Sequence, residues 1–266
     1  MSIISNIFKE LERSGKKAFI PFITAGDGGL DNSEALVFSL ANNGADIIEL
    51  GVPFSDPMAD GPVIAKSHER AVADGVSLSD VLGIVERFRE HNQNTGIVLM
   101  GYTNPIEVYG YKAFAARAQE AGVDGVLVVD MPPEEAHDLK SELDAVGIDF
   151  IFLVAPTTTN DRLKDISKIA TGYIYFVSLK GVTGAGNLDI NSVNHHLVRM
   201  RNHIKLPVGV GFGIKNVKTA KQVSENADAV IVGSTLVSIV EQFSSDRDKM
   251  ITKVGNLANQ ISNAIN

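Results

Sequence analysis

Short runs of continuously apolar residues alternate along this chain with longer segments in which apolar positions return every three or four residues. The runs fall at 18–24, 46–52, 97–102, 125–130, 150–155, 173–179, 208–212 and 229–233. Unbroken apolar runs of this length suit strands of a parallel sheet covered on both faces. Between them the spacing predicts helices over 32–43, 63–73 with 79–91, 111–121, 133–146, 161–169, 192–201 and 217–225. A last helix is predicted over 249–265, and an amphipathic one over 1–15, where Ile3, Ile4, Ile7, Phe8 and Leu11 share a face.

A weak internal repeat supports this division. Gly44-Ala45-Asp46, Gly122-Val123-Asp124, Gly147-Ile148-Asp149 and Asn226-Ala227-Asp228 each sit between a helix and the next strand. Gly or Asn there suits a left-handed helix terminus, with Asp opening the strand. Eight βα units with no linker-like segment predict one α/β domain over 1–266, a (β/α)8 TIM barrel with an extra N-terminal helix. A doubly wound open sheet is the alternative, but it does not call for eight similar strands.

Composition narrows the function. The 266 residues carry a net charge of −8, and no Lys/Arg cluster exceeds a few residues, which argues against nucleic acid or an anionic membrane surface as main partner. The absence of cysteine excludes disulfides and thiolate sites and fits a cytoplasmic protein. The amino terminus lacks the apolar run of a signal peptide, and no stretch reaches the length of a membrane span.

Barrel chemistry gathers at the C-terminal ends of the strands. There the run at 46–52 carries Glu49, and the turn-rich segment after it delivers Asp56 and Asp60. An apolar strand rarely holds a glutamate, since burying a carboxylate costs several kcal/mol unless it is paired or protonated. Glu49 is therefore either a solvent-facing strand tip or a desolvated carboxyl with a raised pKa, suited to moving protons. Asp60, in a polar loop, is expected to stay ionised, and Asp56 beside Pro57 reads as a turn residue.

Three glycine-rich corners follow the last three runs: Gly181–Gly186, Gly211-Phe212-Gly213 and Gly233-Ser234-Thr235. Each alone can be a tight turn. Together they predict an anion site, with backbone N–H groups and the start of a short helix over 236–243 facing a phosphate. The segment 181–187 has few apolar anchors and suits a lid. Phe22, Tyr102, Leu127, Val129, Leu153, Tyr175 and Phe212 are either plain core or the wall of a pocket for a flat apolar ligand.

Other chemistries find little support. His68, His91, His137, His195, His196 and His203 all fall in or just after helical segments, away from strand ends, so a metal centre is not expected. Lys180 is the best-placed Schiff-base lysine, yet its place beside the glycine-rich loop favours exposure. Acid–base chemistry by carboxylates on a phosphorylated substrate remains. A sugar-phosphate isomerase, an aldolase, and a non-catalytic subunit that binds a phosphorylated ligand stay open as alternatives.

The stretch Ile48-Glu49-Leu50-Gly51-Val52-Pro53-Phe54-Ser55-Asp56-Pro57-Met58-Ala59-Asp60-Gly61-Pro62 resembles the signature of the tryptophan synthase alpha subunit family. Pro21-Phe22-Ile23-Thr24-Ala25-Gly26-Asp27, Met100-Gly101-Tyr102-Thr103-Asn104-Pro105, Gly181-Val182-Thr183-Gly184 and Gly211-Phe212-Gly213-Ile214 are also similar to that family, in order and across nearly the whole chain. The resemblance implies a lyase cleaving indole-3-glycerol phosphate to indole and glyceraldehyde 3-phosphate, with Glu49 and Asp60 as the catalytic pair. It implies indole held near Phe22, Tyr102, Leu127, Tyr175 and Phe212, phosphate at Gly184, Gly213, Gly233 and Ser234, and Thr183 closing against Asp60. It implies no cofactor in this chain, and a beta subunit partner carrying pyridoxal phosphate (PLP), met through the loops at 53–58, 104–105 and 131–133 in an alpha2-beta2 complex. Some family members have arginine just before the lid, where this chain has Leu179-Lys180.

Overall fold

The computed structural model describes residues 2–178, 189–211 and 213–266. Eight parallel strands close into a barrel, each hydrogen-bonded to the next in sequence and the eighth to the first. In chain order the elements are α1 (Ile3–Arg13), β1 (Ala18–Thr24), α2 (Leu30–Asn42), β2 (Ile47–Gly51), α3 (Pro62–Ala73), α4 (Leu78–Arg89), β3 (Gly96–Gly101), α5 (Thr103–Tyr109), α6 (Tyr111–Ala121) and β4 (Gly125–Val128). Then come α7 (His137–Val146), β5 (Asp149–Val154), α8 (Asn160–Ile169), β6 (Ile174–Val177), α9 (Ile190–Arg201), β7 (Val208–Gly211), α10 (Val217–Ser224), β8 (Ala229–Val232), α11 (Ser234–Phe243) and α12 (Arg247–Ile265).

The expected strands lie where the apolar runs placed them. Two helical expectations change. The segment 104–105, read as a mouth loop, is inside α5; Pro105 occupies its first turn, where a missing N–H costs nothing. The helix expected over 133–146 begins as a 3-10 turn, Pro133–Glu135, before α7 starts at His137.

The pleat sorts the apolar residues into two cores. One lies between strands and helices, with Phe19, Ile48, Leu50, Val126, Phe150 and Phe176 pointing outward. The other fills the barrel, with Ile20, Ile47, Val98, Leu127, Ile151, Tyr173, Tyr175 and Ile231 pointing inward. Alternate residues of one strand thus serve both cores, which explains the unbroken apolar runs. Ile4 and Phe8 of α1 join the inner core and close the barrel at the N-terminal ends of the strands. Gly125 at the start of β4 makes room for this plug, since a Cβ there would come within 2.9 Å of Ile4.

The Gly/Asn-X-Asp repeat also has a physical role at this closed end. Asp46, Asp124 and Asp228 each clamp the preceding strand: the backbone N–H of each donates to a carbonyl, and its carboxylate accepts the N–H of that same residue. The clamped residues are Phe19, Ile97 and Val208, with side-chain bonds of 2.8, 2.7 and 2.8 Å. Before β6, Thr171 does the same to Phe150 through its hydroxyl, at 2.7 Å. The base of every even-numbered strand therefore clamps its odd-numbered neighbour. Asp149, the remaining member of the sequence repeat, opens the odd strand β5 and instead accepts the Ser2 hydroxyl at 2.5 Å.

Candidate active site

Glu49 points into the barrel because Ile47, two residues earlier on β2, does. It is 1% exposed, so the solvent-facing alternative falls. Its Oε1 accepts the Tyr173 hydroxyl at 2.5 Å across the barrel, while Oε2 is buried with no hydrogen-bond partner among the described residues. Burial pushes the Glu49 carboxyl up to about 8, and the Tyr173 hydrogen bond only partly offsets this. The group is thus mostly protonated at neutral pH. A buried oxygen without a partner is costly, and it marks where a ligand atom can supply the missing contact.

Asp60 departs from expectation. Its loop is polar in sequence, yet its side chain is folded back under Tyr102 and His68. The Tyr102 hydroxyl donates to Asp60 Oδ2 at 2.8 Å and itself accepts the Ala59 N–H at 3.2 Å. Burial raises the Asp60 pKa, and the Tyr102 hydrogen bond opposes that shift by favouring the charged form. Burial first, then the Asp60 charge, pushes the Tyr102 hydroxyl out of its own titration range. Burial first, then the charges of Glu49 and Asp60, pushes the Tyr175 hydroxyl up, so both carboxyls act on this one side chain. Asp56 is exposed and accepts the Ser55 hydroxyl at 2.5 Å, consistent with a loop-shaping role.

A narrow, tightly packed crevice lies beside Asp60, lined by Phe22, His68, Met100, Gly101, Tyr102 and Val129. Phe22 and Tyr102 form its wall as the sequence suggested. Leu127 and Tyr175 belong to the inner core instead, Leu127 lying two residues below Val129 on the same face. Two glycines let the aromatics lie flat: a Cβ on Gly51 would come within 2.7 Å of the Phe22 ring, and one on Gly211 within 2.2 Å of the Tyr175 hydroxyl. Phe212, Thr183, Gly184 and Lys180 lie outside the described residues.

The expected phosphate corner adjoins this wall. Gly233 precedes α11 and packs close to Phe22, with a Cβ there 3.3 Å from the ring. Among the described residues no side chain caps the α11 N-terminus, and Ser234, its first residue, is exposed. Gly213 has φ +80°, a backbone conformation that side chains rarely adopt, and lies half-buried. The Thr235 hydroxyl donates to the Ile214 carbonyl at 3.4 Å, tying the two corners together. An uncapped helix start beside glycine backbone can receive an anion without a cationic side chain.

His68 was missed. Helical spacing gave its place on α3 but not that it faces the mouth, where its Nε2 is 3.6 Å from Asp60 Oδ2. His195 is exposed as expected, whereas His196 is half-buried against Phe176. Among the described residues no three His, Asp or Glu side chains group as a metal site.

Residues 8–266 match the family described as tryptophan synthase alpha chain. The chain is 66% identical over 265 residues to the alpha chain of Ruthia magnifica and 64% identical to that of Vesicomyosocius okutanii, covering all of both proteins. The crystal structure of tryptophan synthase subunit alpha from Legionella pneumophila superposes with a TM-score of 0.94 at 40% identity, covering 100% of this chain and 98% of that one. The family match spans all but the first seven residues, relatives more than 60% identical are covered over their full length, and the chain belongs to the tryptophan synthase alpha chain family.

Proposed function

We propose that Glu49 and Asp60 cleave indole-3-glycerol phosphate to indole and glyceraldehyde 3-phosphate, the lyase reaction of this family. The observation that carries this assignment is Glu49 Oε2, a buried carboxyl oxygen with no hydrogen-bond partner among the described residues, on a group that burial keeps protonated. Cleavage requires a proton on indole C3, removal of the proton from the hydroxyl on the adjoining glycerol carbon, and a sink for positive charge at the indole nitrogen. Glu49 holds a proton at neutral pH and delivers it to C3. The indole N–H donates to the Asp60 carboxylate as the ring becomes electron-poor. The glycerol hydroxyl then loses its proton to Glu49, its carbon becomes the aldehyde, and the electron pair of the broken C–C bond returns to the ring. The proton that leaves Glu49 is replaced by the one it takes, so no co-reactant is needed.

The indole lies between Phe22 and Tyr102, with Leu127 and Tyr175 as the floor behind it. The phosphate lies on Gly213, Gly233 and Ser234, with Gly184, Thr183 and Phe212 completing the set from outside the described residues. The distinguishing experiment is indole release from indole-3-glycerol phosphate by the full chain. Glu49→Gln and Asp60→Asn should each lower kcat by about 10²-fold or more, and near-parental turnover by either variant removes that residue from the mechanism.

Family membership implies a beta subunit partner, which holds the PLP and consumes the indole. Exposed Met58 and Val108, after β2 and within α5, supply apolar surface at the mouth for it. Val108→Glu should weaken the complex in a pull-down with the beta subunit and leave turnover by the isolated chain unchanged. A cytoplasmic location suits the absence of cysteine, and no helix among the described residues is long and apolar enough to cross a membrane.

A further inference from the structure

His68 is 3% exposed on α3, eight residues after Asp60, and faces back toward it. The Phe54 N–H donates to Nδ1 at 3.2 Å, so Nδ1 is the unprotonated nitrogen. Burial pushes the imidazole pKa down to about 4, so the ring is neutral and its single proton sits on Nε2. Nε2 is 3.6 Å from Asp60 Oδ2, the oxygen that also accepts Tyr102, and among the described residues no side chain hydrogen-bonds to Oδ1. That separation is a few tenths of an ångström beyond a hydrogen bond, a gap that sites often close when substrate arrives. The ring also stands edge-on to Tyr102, with centroids 6.4 Å apart and an interplanar angle of 80°.

We infer that His68 is a positioning residue of the cleavage reaction: its Nε2–H and the Tyr102 hydroxyl fix Asp60 Oδ2 and turn Oδ1 toward the indole N–H. The inference rests on the role given to Asp60 above. The competing reading makes His68 a peg whose only task is to hold the Phe54 N–H. Two conservative variants separate them. In His68→Gln the amide N–H₂ falls near the Nε2 position and the Nδ1 acceptor is lost. In His68→Asn the amide oxygen can accept from Phe54 but nothing reaches Asp60.

Steady-state indole release by the full chain, with and without the beta subunit, reads the contrast. His68→Gln should stay within about threefold of parental kcat, while His68→Asn should lose about tenfold in kcat with KM changed less than about threefold. In an Asp60→Asn background His68→Asn should have little further effect. Parental kcat for His68→Asn, or a loss for His68→Gln as large as that for His68→Asn, overturns the inference. The imidazole ¹⁵N shifts of the unsubstituted chain at pH 7 give a test independent of variant folding. They should report a neutral ring protonated on Nε2, and a ring protonated on Nδ1 or on both nitrogens overturns it. If Asp60→Asn itself turns over normally, the reading of Asp60 fails; if only the His68 contrast is absent, the role of His68 alone fails.

Discussion

The two ends of the barrel use the same chemical group in opposite ways. At the closed end Asp46, Asp124 and Asp228 carry carboxylates whose oxygens accept a backbone N–H, and Asp124 and Asp228 are also paired with Arg89 and Arg201. Among the described residues, Glu49 at the mouth keeps one oxygen with no hydrogen-bond partner, and Asp60 is met by a phenol and an imidazole but by no cation. A raised pKa does not tell the two ends apart: burial also pushes Asp46 up, to about 6. The set of donors does. A carboxylate with its donors supplied by the fold holds strands in register, whereas one with a donor missing keeps a place for a ligand.

The largest break in this comparison comes from the closed end. Asp124→Ala removes the counter-ion of Arg89, which is 8% exposed and held by the Gly122 and Thr95 carbonyls at 2.8 Å each. Leaving that guanidinium buried without a counter-charge should cost about 3–5 kcal/mol in denaturant unfolding, with kcat per folded molecule unchanged. Asp46→Ala, which strands the Phe19 N–H, should cost about 1–2 kcal/mol by the same measurement and again leave kcat alone.

The mouth should respond the other way. The folded Glu49 pKa lies above its unfolded value, so its contribution to stability is full below about 4.5 and declines as pH rises to about 8. Glu49→Gln escapes this penalty. Its melting temperature should gain on the parent across that window, by about 2 °C or more at pH 8, even as turnover is lost. Equal melting curves at pH 5 and pH 8 would remove the claim that Glu49 is strained by burial. The smallest effect is expected from Tyr173→Phe. With the hydroxyl gone, nothing offsets the desolvation of Glu49, so the limb of the kcat–pH profile assigned to Glu49 should move to higher pH, with at most about a tenfold change in maximal rate.

These contrasts also show what the sequence could display. The strands were legible because a parallel barrel wall is apolar on both faces, so 18–24 reads as one unbroken run although Phe19 and Ile20 serve different cores. The repeat revealed three of the four clamps. Thr171 escaped because a hydroxyl does the same work without an acidic signature, and Asp149 carries the signature but opens an odd strand. At the mouth, Glu49 stood out because a carboxylate in an apolar run is expensive. Asp60 was misread and His68 overlooked for one reason: composition describes a loop as polar and a helix face as periodic, but the shielding of Asp60 arises only where α3 returns past Tyr102. The same limit applies to Leu127 and Tyr175, whose types fit a pocket wall but which belong to the inner core.

The plug formed by α1 makes the barrel a vessel closed at one end. With Ile4, Ile7, Phe8 and Leu11 stacked under the inner core, a small neutral molecule released beside Glu49 has no way down. Its direction of departure is therefore fixed by the stopper at the far end, before any mouth loop moves, and a protein seated over the opening would intercept all traffic.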